Sequence, residues 1–305
     1  MLYRKIEQTI YEHLTSDNEK VLVVAGARQV GKSYIIRHVG HRIFKNVVEI
    51  NMIEDFEGDA LFSKVKSTDD FYLALGIAAG GRLGTAEDTL IFLDEIQQYP
   101  HLLTMLKFLR QDGRYKYAAS GSLLGVTLKR TTSIPMGSIS ILRMYPLDFE
   151  EFLIANGIGQ SFIDSIRKDY ENLRSPSEEI HEKLLSLFRR YLLVGGMPEA
   201  VNEYLSSRNI VKVREIQREI HTLYGIDASK YDEEHRLKIS RIYSLIPSNL
   251  ENKKKRLIYN SIEDKKGKRA SDYMEEIDYL VSPDFVNVSP KIHQRTEGRC
   301  VDGVS

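Results

Sequence analysis

The stretch Gly26-Ala27-Arg28-Gln29-Val30-Gly31-Lys32-Ser33 constrains this chain more than any other. It meets every fixed position of the pattern G-x-x-x-x-G-K-[ST]. Its flanks agree with it. Val21-Leu22-Val23-Val24-Ala25 is an apolar, β-branched run of the kind that forms a buried parallel strand. Tyr34 to Val39 reads as the first turns of a helix. A strand, a glycine loop and a helix N-terminus together make an anion site. Glycine lets the backbone come close, so consecutive N–H groups point at phosphate oxygens, and the helix dipole adds positive charge there. Gly26, Ala27, Arg28, Gln29, Val30, Gly31, Lys32 and Ser33 are thus the expected cradle. Lys32 would reach the β and γ phosphates, and the Ser33 hydroxyl would ligate Mg²⁺. The alternative is a chance loop in a Rossmann-like domain, and the flanking strand and helix weigh against it.

Leu90-Ile91-Phe92-Leu93 ends in Asp94-Glu95, some 60 residues after the loop. Asp94 at the carboxyl end of a central strand would hold Mg²⁺ through its water shell. Glu95 would orient and polarise the attacking water. Alone, the pair is equally an acidic strand end capping the next helix; the glycine loop upstream favours the chemical reading. Tyr115 to Ala119 is a further strand, ending in Ser120-Gly121-Ser122. Ser120 or Ser122 would touch the γ-phosphate or its water, or else form a plain strand-to-helix turn. Asn46 to Ile50 and Ser138 to Met144 complete the expected strands. Phe71 to Ala79 is an expected helix, ended by Gly80-Gly81-Arg82-Leu83-Gly84, and Ile53 to Asp59 reads as loop and helix start. The alternation of strands with helices argues an α/β fold with a parallel sheet, its ligand beyond the carboxyl ends of the strands.

Composition excludes several classes. The chain has 305 residues, 42% of them hydrophobic, enough for two or three domains with a sizeable core. Its 43 Lys and Arg balance 43 Asp and Glu, so no global field draws it to nucleic acid or membrane, and any basic site is local. The lone Cys300 excludes an internal disulfide and supplies no metal cluster. No signal peptide or membrane-length apolar run is visible, so a cytoplasmic location is the expectation.

The second half reads as helical. Leu2, Ile6, Ile10 and Leu14 already give a helical stripe ahead of the first strand. Phe149 to Ile154 is short and amphipathic, and Gly157 to Glu179 is a loop or exposed helix. Leu184 to Val194 is strongly apolar before the sharp turn Gly195-Gly196-Met197-Pro198, with helices at Glu199 to Leu205 and Val211 to Tyr224. This block reads as a lid over a nucleotide. Lys238 to Ile246 is a helix stopped by Pro247. Asp272 to Val281 carries Tyr273, Met274, Ile277, Leu280 and Val281 on one apolar face, and Phe285 to Val288 is a short strand. Three small helices and a strand suggest a winged helix-turn-helix.

These pieces resemble a known family: the bacterial and archaeal AAA+ ATPases that carry a domain of unknown function after the ATPase core. The resemblance rests on the glycine loop, on Leu93-Asp94-Glu95-Ile96-Gln97 and on Ser120-Gly121-Ser122. It rests also on Tyr145-Pro146-Leu147-Asp148-Phe149-Glu150-Glu151-Phe152 and Gly195-Gly196-Met197-Pro198-Glu199-Ala200. Asp227-Ala228-Ser229-Lys230-Tyr231 and Ile246-Pro247-Ser248-Asn249-Leu250 look like the same family. It implies an AAA+ core over 1–145, a helical lid over 146–234, a winged-helix-like domain over 235–290 and a disordered, truncated tail over 291–305. The family usually continues into a restriction-nuclease-like domain, so no nuclease activity is expected here. Two departures stand out. Ser138 follows Gly137 where the family often has arginine, leaving Arg130 and Arg143 as either arginine fingers or solvated surface residues. No lid arginine flanks Gly195-Gly196.

The leading functional expectation is an ATP-binding switch, using Mg²⁺ and hydrolysing slowly as a monomer; without an Asn-Lys-x-Asp signal, adenine is the expected base. The alternatives are a nucleotide-gated DNA-binding module or a protein-interaction module, in either case with a homo-oligomer or protein partner in view. For DNA, Lys253, Lys254, Lys255 and Arg256, with Lys265, Lys266, Lys268 and Arg269, make a local basic patch that is otherwise a solvated loop. Asp272, Glu275, Glu276 and Asp278 on the last helix argue against base readout.

Overall fold

The computed structural model describes residues 1–122, 137–228, 235–251, 257–263 and 267–281. Arg130, the patch Lys253–Arg256, Lys265, Lys266, the strand expected at Phe285–Val288 and the tail from 291 lie outside them.

Strands β1 (Val21–Ala25), β2 (Asn46–Asn51), β3 (Thr89–Asp94), β4 (Lys116–Gly121) and β5 (Ile139–Arg143) pair in the order β2-β3-β4-β1-β5, all parallel. All six residues of β3 are buried, as a strand covered on both faces requires. The alternation of side chains then sorts the core into two layers. Leu22, Val24, Leu90 and Phe92 face helices α1 (Ile6–Thr15) and α2 (Lys32–Ile43), meeting Ile10, Leu14, Ile35 and Val39. Val21, Val23, Ile91 and Leu93 face the other way. After the short α3 (Met52–Glu57), helices α4 (Thr68–Ala79) and α5 (Pro100–Asp112) bring Phe71, Leu75, Leu102 and Leu106 to that side. Helix α4 begins at a capping box, in which Ser67 and Asp70 exchange side-chain-to-backbone hydrogen bonds.

Beyond the sheet come α6 (Phe149–Ala155), α7 (Gln160–Glu171), α8 (Glu178–Val194), α9 (Pro198–Ser207) and α10 (Ile210–Ala228). The stretch that reads as loop or exposed helix is the helix α7, which buries only Ile163, followed by a loop and the start of α8. Asp148 and Glu151 form a second capping box at the start of α6. The turn before α9 docks on the chain just before that box. The Leu147 N–H donates to the Gly196 carbonyl at 2.7 Å, and the Tyr191 hydroxyl donates to the Leu147 carbonyl at 2.8 Å. Phe152, Val194, Val201 and Tyr204 pack around this junction.

Helices α11 (Arg236–Glu251), α12 (Asn260–Glu263) and α13 (Met274–Val281) follow. They have no separate core: Ile239, Ile242, Tyr243, Ile262, Tyr273 and Leu280 join the same apolar cluster as Ile10 and Ile36. Three expectations are corrected here. Pro247 does not stop its helix but sits inside α11. An interior proline costs about 3 kcal/mol. Burial of Ile242 and Tyr243 offsets that cost, and so does Asn249, which donates to the Leu245 carbonyl at 2.7 Å and accepts from the Ile258 N–H at 3.0 Å. Met274 is not on the buried face; it is 59% exposed, and Tyr273, Glu276, Tyr279 and Leu280 are the inward residues. Glu276 is therefore no surface carboxylate. Burial works to raise its pKa, but hydrogen bonds from His235 at 2.8 Å and Lys238 outweigh that and hold it below the usual value. No helix among the described residues is long and apolar enough to cross a membrane.

A Cβ on Gly196 would lie 2.1 Å from the Leu147 carbonyl oxygen, backbone against backbone, whereas one on Gly81 would meet nothing within 4 Å. We expect Gly196→Ala to cost roughly 2–3 kcal/mol of stability and Gly81→Ala to be near neutral, as read by urea unfolding of both variants.

Candidate functional site

Parallel pairing brings every strand to the same edge carboxyl end first. Register aligns Ala25 with Gly121, Leu93 with Ala119 and Asn51 with Asp94. The loop Gly26–Gly31 therefore leaves β1 beside Ser120 and Ser122 at the end of β4, with Asp94 and Glu95 at the end of β3.

The loop's shape is set by residues with positive φ. Gly26 stands at +154° and Gly31 at +98°, and a Cβ on Gly26 would fall 2.1 Å from the Met144 carbonyl oxygen. Gln29 takes +63°, a left-handed conformation unusual for a side-chain-bearing residue. Gly31 then opens α2, so Lys32 and Ser33 occupy its first turn.

Ser33 donates to both Asp94 carboxylate oxygens, at 2.8 and 3.0 Å, and Ser120 donates to the same carboxylate. Asp94 is buried. These are hard oxygen donors, the kind that Mg²⁺ takes one or two of while keeping water and phosphate for the rest. Among the described residues no group of three or more His, Cys, Asp or Glu stands ready to hold a metal ion.

Lys32 is buried, and its ammonium donates to the Gly26 and Ala27 carbonyls at 3.0 and 2.8 Å. Burial pulls its pKa below the ordinary 10.5, the Glu95 and Asp94 carboxylates oppose that, and Arg28 adds to it. Glu95 sits at φ +53°, another left-handed residue that bears a side chain. Its carboxylate accepts from Ser122 at 3.1 Å and from the Gln97 amide, which also donates to Ser122 at 3.2 Å.

The structure thus brings together all of Gly26 to Ser33, Asp94, Glu95 and Ser120. Ser120 and Ser122 each serve the acidic pair, one on Asp94 and one on Glu95. Arg143 closes β5 in register with Ala25. Of the basic stretch, Lys268 pairs with Glu263 at 3.3 Å and lies over the Tyr273 ring.

Sequence reading missed the residues behind the loop. Arg4 is buried; it donates to the Val30 carbonyl at 2.8 Å and to the Tyr145 carbonyl, and pairs with Glu151 at 3.3 Å. Tyr224 on α10 donates to the Arg28 carbonyl at 2.5 Å, and the Arg28 guanidinium pairs with Asp227 at 2.5 Å. Arg4 shows no sequence signal, while Gln97 and Asp227 lie inside family-like stretches that assign them no role.

Residues 18–153 match a family model described as an AAA domain, and residues 185–301 match a domain of unknown function, DUF8612. No curated protein sequence matches. Among solved structures the chain is similar to the Walker-type ATPase PABY2304 of Pyrococcus abyssi, with TM-score 0.53 and 15% identity over 93% of this chain and 90% of that one. It also aligns with the Aeropyrum pernix ORC1 protein solved in complex with DNA, with TM-score 0.41 and 14% identity over 92% of this chain and 83% of that one. At such identities the first likeness concerns the fold, which is the parallel sheet with flanking helices described above. Nucleotide binding and hydrolysis are the general activity of the matched domain class, and this chain carries an AAA+ ATPase domain followed by a domain of unknown function.

Proposed function

We propose that the chain binds ATP with Mg²⁺ at the loop Gly26–Ser33 and hydrolyses it slowly as a molecular switch, with the helices of 146–234 as the lid. The observation that carries this is the joining of Ser33 to Asp94 at 2.8 Å at the mouth of the glycine loop. Ser33 and Asp94 would hold the metal, which when bound neutralises charge on the β and γ phosphates. Loop N–H groups bind the phosphate oxygens, and Lys32 leaves the Gly26 and Ala27 carbonyls for the β and γ phosphates. Glu95 takes the proton of the attacking water, and Ser122 and Gln97 set where its carboxylate points. Such catalysis is mostly positioning and charge stabilisation, so an isolated chain lacking a supplied arginine is slow.

Lys32→Ala should weaken ATP binding roughly 100-fold, because a charge-assisted bond to phosphate is lost; titration calorimetry reads this, and wild-type affinity would refute the site. Glu95→Gln should leave Mg·ATP binding intact and slow steady-state phosphate release about 100-fold or more. Equal loss of binding and turnover would make Glu95 structural.

Affinity should also depend on pH. Lys32 is depressed below 10.5 in the free protein, and phosphate favours its charged form. Binding then takes up a proton above the depressed pKa, so affinity falls as pH rises there, by at most about tenfold per unit. Calorimetry in buffers of different ionisation enthalpy at alkaline pH should show this uptake in the wild type and none in Lys32→Ala at a concentration that still saturates.

A further inference from the structure

The loop's carbonyls are as informative as its N–H groups. In a trans peptide the C=O and the next residue's N–H lie in one plane and point in opposite directions, so fixing one aims the other. The described residues contain no cis peptide. Arg4 holds the Val30 carbonyl at 2.8 Å from a buried position, which turns the Gly31 N–H to the opposite side. Tyr224 holds the Arg28 carbonyl at 2.5 Å, which turns the Gln29 N–H likewise. The two donors lie far apart in the sequence, one just ahead of α1 and one near the end of α10.

Both are themselves fixed. Arg4 is braced by Glu151 and the Tyr145 carbonyl, and Glu151 also accepts the Lys5 N–H at 2.7 Å. Tyr224 is buried, and burial raises its phenol pKa above 10, so its hydroxyl keeps its proton. One turn further on, Asp227 holds the Arg28 guanidinium. The side chain and the carbonyl of one loop residue are thus both gripped by α10.

We propose that Arg4 and Tyr224 are positioning residues of the nucleotide site: each grips a loop carbonyl from behind and aims the following N–H, at Gly31 and Gln29, toward the phosphates. This rests on the nucleotide reading above. It makes α10 part of the phosphate site, so that a movement of the helical block changes phosphate affinity directly.

Tyr224→Phe tests this cleanly, because it removes one hydroxyl and leaves the ring in the core. We expect ADP affinity to fall about 5- to 10-fold, because the released loop carbonyl must be re-aimed when the phosphate binds, and the thermal midpoint of the free protein to fall by no more than a few degrees, as for loss of one buried hydrogen bond. Hydrogen exchange should show ADP protecting the Gln29 and Gly31 amides in the wild type and the Gln29 amide less in Tyr224→Phe. Arg4→Lys, which keeps one donor, should weaken ADP binding less than Arg4→Gln; if the Arg4 variants do not fold, Tyr224→Phe decides alone. Tyr224→Phe within twofold of wild-type affinity, with Gln29 protection unchanged while Lys32→Ala loses ADP, overturns the proposal and leaves the nucleotide reading standing. A wild-type chain that binds no ADP overturns the nucleotide reading and this inference with it.

Discussion

Register between β3 and its neighbours is the constraint on which the site depends. Thr89-Leu90-Ile91-Phe92-Leu93-Asp94 is apolar on both faces in its middle, with Leu90 and Phe92 to one layer and Ile91 and Leu93 to the other. A slip by one residue would exchange the faces, yet it would still bury apolar side chains on both. Hydrophobic patterning alone therefore specifies this register weakly. The polar end specifies it strongly. In the observed register Asp94 lies at the mouth, where Ser33 and Ser120 donate to it. A slip inward would push an ionised carboxylate between sheet and helix, where an unpaired charge costs several kcal/mol. Asp94 thus locks the sheet and builds the site in one act.

The same economy governs the loop. A backbone that turns its N–H groups outward gives up their internal partners, and Gln29 and Glu95 in addition hold left-handed conformations. Residues with side chains pay of order 1–3 kcal/mol for such backbone angles. The loop keeps this shape because distant groups close on it: Met144 leaves room for no side chain at position 26, and Arg4 and Tyr224 take carbonyls, while at the end of β3 Ser122 and Gln97 hold the Glu95 carboxylate. These contacts span up to 196 residues of sequence, so the site's geometry is a property of the whole chain.

That separation explains what was legible beforehand. The loop, the five strands β1 to β5, and the placing of Asp94 and Glu95 beside the loop were readable, because strand alternation and fixed-spacing motifs are local. Arg4 was not: an arginine at the edge of an amphipathic stripe looks the same whether it meets solvent or a carbonyl 26 positions away. Helix ends failed for a related reason. Pro247 is a sound local stop signal, and tertiary burial of Ile242 and Tyr243 overrode it. Met274 groups with Tyr273 on one apolar face in the sequence, but adjacent residues stand about 100° apart around a helix, so the face that Tyr273 begins runs on through Glu276, Tyr279 and Leu280 and leaves Met274 in solvent. Glu276 reads as a surface charge until its partners His235 and Lys238, from a different helix and its approach, are in place.

Charge follows the same logic, and it bears on the cofactor. The chain as a whole is neutral, which conceals a site that is not. Among the described residues Asp94 and Glu95 face one ammonium, Lys32, while the nearby Arg28 is committed to Asp227 and Arg37 to Glu49 at 3.3 Å. Burial raises the Glu49 carboxyl's pKa, and Arg37 opposes that while Asp94 and Glu54 add to it. On the proposed reading, a polyphosphate entering here meets more carboxylates than free cations. Loop N–H dipoles soften that repulsion but carry only partial charge. Ser33 and Asp94 would hold a hard divalent cation, whose charge would offset that repulsion and make the carboxylate part of what binds the substrate. On the proposed reading the acidic pair at the end of β3 therefore works together with a cation: without one it would oppose the glycine loop, and with one it would complete it.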